Sequence, residues 1–218
     1  MLLPCIAAGG AEPYFCTGEG CVLRYVRRYA DSGKVRWRQT LRIEEVSPAE
    51  EGSMDVLYTS DIKEDNGKQM YGGPISLRTR VLPSGDIEMN MGETACAIFR
   101  NIFPRARNSF TGGEALLPSD AKPGDTHPDV HSIVRTLLGA TYHIDITERE
   151  VVGQERLSTP AGDFECLVTK EHKSEKGPGR NRVTTSYTWY ARGVGMIRHD
   201  TYIKGKLDTS EVLESIEK

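Results

Sequence analysis

The chain has 218 residues and a formal net charge of −3 at pH 7, so its overall charge favours neither nucleic acid nor an anionic membrane surface as a partner. Hydrophobic residues make up 38% of the chain and charged residues 27%, a balance that suits one β-rich domain with a solvated sheet face. No stretch approaches the roughly 20 apolar residues that a membrane-spanning helix needs. We therefore expect no integral membrane segment and no nucleic-acid ligand.

The N-terminal segment has the composition of a targeting sequence. Met1–Ala11 is apolar and ends in small residues, which resembles the second half of a signal peptide that lacks its basic start. The alternatives are a disordered tail and a lipid attached to Cys5, although the proline before Cys5 fits poorly in a small-residue cleavage site. We expect residues 1–13 to be a truncated signal-peptide-like or disordered segment and residues 14–218 to form a single β-rich domain.

The cysteines are compatible with a disulfide and do not form a metal-site pattern. Cys16 and Cys21 enclose Thr-Gly-Glu-Gly, a loop that a disulfide could close outside the cytosol. Cys96 and Cys166 sit among apolar neighbours and are expected to be buried thiols, with a second disulfide as the alternative. No second ligand pair follows Cys16 and Cys21 at zinc-site spacing, so no metal is predicted.

The first half of the domain is predicted to be a meander of strands. Residues 22–29 and 35–46 form two strands around a turn at Asp31–Gly33. Arginines at even-numbered positions alternate with apolar residues in the second strand, and we interpret them as the solvated side of that strand. Glutamates close by cancel much of their field, so a nucleic-acid site is not predicted. Further strands are expected over residues 54–62, 75–82 and 86–91.

Residues 93–103 break this strand pattern. Apolar side chains recur there at helical spacing, and a proline follows, which predicts one short amphipathic helix. In a β-rich fold such a helix usually covers an open end of the sheet. We expect Phe99, Ile102 and Phe103 to be core residues first, and the lining of a ligand cavity second.

Residues 105–129 carry no periodicity and are rich in proline and glycine, so a long functional or mobile loop is predicted. His127 and His131 would share one face of a helix opened by Pro128. Without a glutamate base between them they are a weak metal signal, and we predict no metal there. Strands are predicted to resume after this loop, over residues 133–138 and 141–150. Residues 206–216 are predicted to be a final strand that runs into a loose tail, with a frayed helix as the alternative.

The clearest predicted structure is a set of antiparallel strands near the C-terminus. A turn at residues 160–162 starts a strand with alternating faces, one of them made of Phe164, Cys166 and Val168. A second turn at residues 177–179 leads into a partner strand, 183–190, which is rich in threonine and aromatic residues. After a glycine-containing reversal the chain runs back over residues 196–204.

The sequence of these strands resembles the TapB-like family of exported bacterial proteins, whose biochemical role is not established. The resemblance rests on a V/T-P-A-G-x-F-x-C motif, matched by Thr159–Cys166, and on a W-Y-A-x-G-V-G-x-I/V-R motif, matched by Trp189–Arg198. Residues 117–125 and 151–155 resemble that family's P-x-x-L-K-x-G-D loop and K-V-x-G-x-E strand. The resemblance implies a β-rich, exported, non-enzymatic domain, and it supplies no catalytic residues.

The sequence therefore predicts a mostly β fold, with a single antiparallel, strongly curved sheet or open barrel of about ten strands and one short helix in its concave side. A nucleophile with its base, paired carboxylates, a phosphate-binding glycine loop and a metal quartet are all missing as sequence patterns. Catalytic residues, enzymatic activity and a cofactor are accordingly not predicted.

The leading functional hypothesis is a non-enzymatic cell-envelope protein, periplasmic or secreted, that binds a lipid or another apolar or amphipathic small molecule in its concave face. The hypothesis rests on analogy with lipocalin-like sheets. The alternative is a structural or protein-interaction module with a solid core, acting through an edge strand or the 105–129 loop. A cavity beside the helix favours the first hypothesis and a filled core the second. The predicted ligand contacts are Phe99, Ile102, Phe103 and Trp189.

Overall fold

The computed structural model describes residues 10–103, 107–136 and 139–218, which form fourteen strands, one α-helix and a 3₁₀ turn. The helix α1 spans Met91–Ile102 and the 3₁₀ turn spans Glu50–Gly52. In chain order the strands are β1 (Val22–Tyr29), β2 (Val35–Pro48), β3 (Met54–Lys63), β4 (Ile75–Val81), β5 (Ile87–Asn90), β6 (Asn108–Gly112), β7 (Glu114–Leu117), β8 (Thr126–His127), β9 (Val130–Thr136), β10 (Thr141–Thr159), β11 (Gly162–Gly177), β12 (Arg180–Ala191), β13 (Gly195–Ile203) and β14 (Lys206–Glu217).

These strands form one antiparallel sheet that nearly closes into a barrel. Its order is β6-β9-β10-β11-β12-β13-β14-β1-β2-β3-β4-β5-β7, and β8 pairs with β10 beside this path. The two outermost strands, β6 and β7, are separated along the chain only by Gly113. Gly113 has a φ of +99°, and a Cβ there would lie 2.7 Å from the backbone nitrogen of Gly92, so a larger residue would clash at the closure.

The expected fold class is confirmed, while the expected count of ten strands was too low. The segment predicted as a long loop, 105–129, contains β6, β7 and β8 in its described part. Strands of two to five residues are too short to show an alternating pattern in the sequence. His127 and His131 accordingly lie in β8 and β9 rather than on one face of a helix.

Two strands that were predicted separately form one long strand, β10, which covers both 141–150 and 151–155. Its pairing with β11 shifts register between Thr147 and Glu150, and Glu148 between them has a φ of 51°. Such a bulge bends a strand without ending it. The predicted strand 133–138 corresponds to β9 at its start, and residues 137–138 lie outside the described residues.

The predicted helix is confirmed as α1. Asn90 caps its N-terminus, because its side-chain oxygen accepts a hydrogen bond from the backbone N–H of Glu93 at 2.9 Å. A Cβ on Gly92 would lie 2.6 Å from Oγ of Ser132 and 2.7 Å from Cδ2 of Phe110, so the helix packs directly on β6 and β9. α1 also contacts β4 and β7, and it thereby covers the place where the two ends of the sheet meet.

The core is divided into separate apolar clusters. The largest includes Leu23, Ile43 and Leu213, which are at most 2% exposed, and joins β1, β2 and β14. A small cluster of Cys96, Val134 and Ile144 lies under α1. These apolar clusters do not fill the whole interior, and a space remains between α1 and the polar inner face of the sheet.

All four cysteines of the described residues are buried, and Cys96 and Cys166 are buried free thiols as predicted. Burial raises the pKa of Cys166 to about 11. Burial, followed by the neighbouring Cys16 side chain, raises the pKa of Cys21 to about 12. The disulfide between Cys16 and Cys21 stays a prediction, and the predictions for Cys5 and for residues 1–9 lie outside the described residues.

Within the described ranges, no helix combines the length and the apolar character needed to cross a membrane.

Candidate functional site

The candidate site is a cavity of about 640 Å³ between α1 and the inner face of the sheet. This volume lies within the range of ~300–1,000 Å³ that is typical of small-molecule sites. Its two walls differ in chemistry.

One wall is apolar. It is made by α1 and by two side chains of β10, namely Met91, Ala95, Ile98, Phe99, Ile102, Tyr142 and Ile144. The helical members recur every three or four residues, so that one face of the helix points into the cavity. The ring centroids of Phe99 and Tyr142 are 5.0 Å apart, which joins the helix to the sheet.

The opposite wall is polar and mostly cationic. Six basic side chains and two carboxylates line it, together with hydroxyl groups and two histidines: Arg27, Arg36, Lys173, Lys176, Arg180, Arg182, Glu171, Glu175, Thr184, Ser186, Thr201, His143 and His199. Glu171 and Lys173 lie on the same face of β11 as the buried Leu167, because side chains alternate along a strand. Their side chains therefore point into the cavity.

A buried ion pair underlies this wall. Arg27 and Glu211, whose side chains are 10% and 6% exposed, lie 3.2 Å apart from Nη1 to Oε2. Arg27 also donates from Nε to Oγ1 of Thr209 at 2.9 Å and from Nη2 to Oγ1 of Thr201. The indole N–H of Trp37 donates to the second oxygen of Glu211 at 3.0 Å. These residues lie on four different strands. The network therefore holds β1, β2, β13 and β14 together.

The pKa values of several titratable groups of the cavity are shifted, among them those of His199 and Glu171. Burial, followed by the positive charges of Arg27 and Lys173, lowers the pKa of His199 to about 3, so this side chain is neutral at physiological pH. Its Nδ1 lies 2.9 Å from Oγ1 of Thr188. Burial raises the pKa of Glu171, against the opposing effect of Arg149 and Lys173.

Only two of the four predicted ligand contacts lie in the cavity. Phe99 and Ile102 line the cavity, whereas Phe103 and Trp189 are not among its described lining residues. Phe103 is the residue that caps the C-terminus of α1, and it is 56% exposed. The indole N–H of Trp189 donates to Glu155, which is exposed, and the Arg198 guanidinium lies 4.9 Å from the Trp189 ring centroid. Trp189 therefore belongs to another part of the sheet.

Sequence reasoning missed the charged wall. The even-numbered arginines of β2 were interpreted as the solvated side of that strand, which is wrong for Arg36, because it lines the cavity. Arg27 of β1 is buried in the network. The sequence did contain one signal that Arg27 is buried, because Arg27 lies on the same face of β1 as the buried residues Leu23 and Tyr25. In the parts of the chain that the structure describes, no group of three or more His, Cys, Asp or Glu side chains is placed to hold a metal ion.

The fold and the site define a nearly closed antiparallel β-sheet with one helix packed on it and, between them, a cavity that is apolar on one side and cationic on the other. The DUF3108-like family profile matches residues 19–213, so the chain belongs to the DUF3108-like family. The TapB-like name seen in the sequence stays a resemblance.

Two solved structures have a similar fold. A protein provisionally described as exported, with a YmcC-like fold, from Bacteroides fragilis is 24% identical with a TM-score of 0.74, covering 95% of this chain and 100% of that one. A provisionally described lipoprotein from Parabacteroides distasonis is 18% identical with a TM-score of 0.74, covering 95% and 99%. Among the curated proteins, none matches this chain significantly.

Proposed function

We propose that this protein is an exported cell-envelope protein, periplasmic or secreted, that holds an amphipathic small molecule such as a lipid between α1 and the inner face of its sheet. The observation that carries the proposal is the cavity of about 640 Å³ with an apolar wall opposite a polar wall. An amphipathic molecule satisfies both walls, because its chain removes apolar surface from water while its polar end stays hydrated.

The end of α1 supports this role. Ile102, a lining residue, is 42% exposed, and the neighbouring Phe103 is 56% exposed. Large apolar side chains at the rim of a cavity are typical of a ligand-binding surface. An acyl chain seated along Ile98, Phe99 and Ile102 would cover part of this surface.

The proposed location is supported by the relatives with a similar fold, since one is described as exported and another as a lipoprotein. An exported protein that covers an apolar chain would carry a molecule that water does not dissolve. This is a chemical reason for such a cavity in the cell envelope.

The proposed role is non-enzymatic. His199 has a pKa lowered to about 3 by burial and is therefore a weak base at neutral pH. The hydroxyl that approaches it, on Thr188, is not among the described lining residues of the cavity. The alternative of an interaction module acting through an edge strand or the 105–129 loop is less well supported, because it calls for a solid core where the structure has a cavity of about 640 Å³.

Filling the apolar wall tests the proposal. Ala95→Phe adds a ring inside the cavity, whereas Arg100→Phe adds the same ring at an exposed position of the same helix. We expect the wild type to bind the neutral dye N-phenyl-1-naphthylamine and to release it to monomyristoylglycerol. The affinity should fall about tenfold or more in Ala95→Phe, which corresponds to ~1.4 kcal/mol, and stay unchanged in Arg100→Phe. Equal binding by all three proteins, or none by the wild type, would contradict the proposal.

A further inference from the structure

We infer that the ligand carries an anionic headgroup, which is bound by a cationic cluster at one end of the cavity. The cluster consists of Arg36 at the start of β2 with Lys176, Arg180 and Arg182 around the β11–β12 turn. The inference rests on the proposed function and adds to it the charge of the ligand and the residues that select it.

The cluster is poorly neutralised by the protein itself. Arg36 and Arg182 lie 3.7 Å and 3.8 Å from the same oxygen of Asp208, so two cations share one carboxylate. Both distances are too long for a good hydrogen bond, and within the described ranges neither guanidinium donates a hydrogen bond to a protein group. Lys176 likewise forms no ion pair with any described residue. Positive charge and hydrogen-bond donors are therefore left over for a ligand.

The surrounding charges do not cancel this excess. Glu175 pairs with one member of the cluster, because it accepts a hydrogen bond from Nε of Arg180 at 3.1 Å, and it also lies 3.2 Å from Nζ of Lys173. The four cations of the cluster therefore face two carboxylates, Glu175 and Asp208, and a net positive charge remains. The other lining carboxylate, Glu171, is farther along β11, and burial raises its pKa. The two side chains that face one shared carboxylate, Arg36 and Arg182, are only 25% and 28% exposed. Charges that are partly withdrawn from water attract an anion more strongly than exposed ones.

Arg36 is held in place before any ligand binds. Its guanidinium lies 4.6 Å from the ring centroid of Trp37 and 5.6 Å from that of Tyr29. A planar guanidinium fixed in this way presents paired N–H donors, which match the oxygens of a carboxylate or a phosphate. The geometry favours an oxyanion over a neutral polar group.

The cationic cluster directly adjoins the apolar wall. Tyr142 packs against Phe99 and donates its hydroxyl to the carbonyl oxygen of Pro178 in the β11–β12 turn, at 3.4 Å. A Cβ on Gly177 would lie 2.3 Å from the Tyr142 ring, so the glycine lets this turn approach the ring closely. A headgroup at Arg182 and a chain along Phe99 can therefore belong to one molecule.

The test compares ligands that share one acyl chain and differ in headgroup. The probes are myristoyl lysophosphatidylglycerol, myristate and uncharged monomyristoylglycerol, each measured by displacement of N-phenyl-1-naphthylamine. The variant is Arg36→Gln with Arg182→Gln. The matched control is Arg28→Gln with Arg38→Gln, because these arginines also share one carboxylate, Glu214, but do not line the cavity.

We expect wild type to bind an anionic probe at least about tenfold more tightly than monomyristoylglycerol, and the Arg36/Arg182 variant to lose this preference while it keeps its affinity for the neutral probe. The control variant should behave as wild type. Preference for lysophosphatidylglycerol indicates a phosphate headgroup, and preference for myristate a carboxylate. Raising the salt concentration should weaken only the anionic probes in wild type, which tests the inference even if the variant does not fold.

Two negative results have different meanings. If the neutral and anionic probes bind equally well, with no effect of salt, the anionic headgroup is wrong and the proposed cavity function stands. If no probe binds to the wild-type protein, the proposed function itself is wrong.

Discussion

Replacing Arg27 by methionine should destabilise the protein by about 3–5 kcal/mol, because it leaves Glu211 as an unpaired buried carboxylate. The change also removes the hydrogen bonds that Arg27 donates to Thr201 and Thr209, each worth about 0.5–1.5 kcal/mol. Urea unfolding followed by circular dichroism gives the free energy of unfolding. Arg24→Met is the control on the same strand, since Arg24 forms an exposed ion pair with Glu217 and should cost about 1 kcal/mol or less.

The double variant Arg27→Met with Glu211→Gln should recover most of this loss. Burial lowers the pKa of Arg27 and raises the pKa of Glu211, so for both partners the cost of burial exceeds their mutual attraction. Removing both charges therefore costs less than removing one, and the glutamine oxygen can still accept the hydrogen bond from Trp37. The loss in Arg27→Met alone should shrink as the pH falls, because a protonated Glu211 carries no charge. A loss as small as that of Arg24→Met would refute this reasoning.

Three further predictions concern other parts of the molecule. Cys16 and Cys21 should form a disulfide in protein from an oxidising compartment, so that alkylation in denaturant labels them only after reduction; labelling without reduction would refute the disulfide. Between about pH 6.5 and 3, His199 should bind more protons in the unfolded chain than in the folded one, because its folded pKa is about 3. From pH 7 to pH 5 the free energy of unfolding should therefore fall by about 1–2 kcal/mol more in wild type than in His199→Gln, as measured by urea unfolding; equal changes would refute the role of His199. Gly92→Ala should cost about 1–3 kcal/mol of stability and lower the midpoint of thermal unfolding, because its Cβ would clash with Ser132 and Phe110; an unchanged midpoint would contradict this packing.

The β11–β13 strands were predictable because turn residues and alternation agree there. The turns at Pro160–Ala161 and Pro178–Gly179 fall between the strands, as the residue types require, and Gly162 opens β11. The helix was predictable because its apolar residues recur at helical spacing. The short strands β6, β7 and β8 were not, since two to five residues give too few alternations to separate a strand from a loop.

Half of the candidate site was predictable. Phe99 and Ile102 followed from the apolar face of the helix. Arg36, Arg182 and Lys173 did not, because a charged residue in a strand is normally assigned to the solvated face. Whether such a face encloses a cavity depends on the closure of the whole sheet, which pairs strands far apart in the chain. Trp189 was predicted as a ligand contact without a strand register that would have placed it elsewhere.

Native mass spectrometry tests the central claim, that the cavity holds an amphipathic molecule, most directly. Wild-type protein and Ala95→Phe are purified without detergent from the native source, and any bound molecule is identified after denaturing extraction. We predict a stoichiometric ligand of lipid-like mass and negative charge on wild type, and its loss from Ala95→Phe. Bare wild-type protein, or the same ligand retained by Ala95→Phe, would contradict the claim.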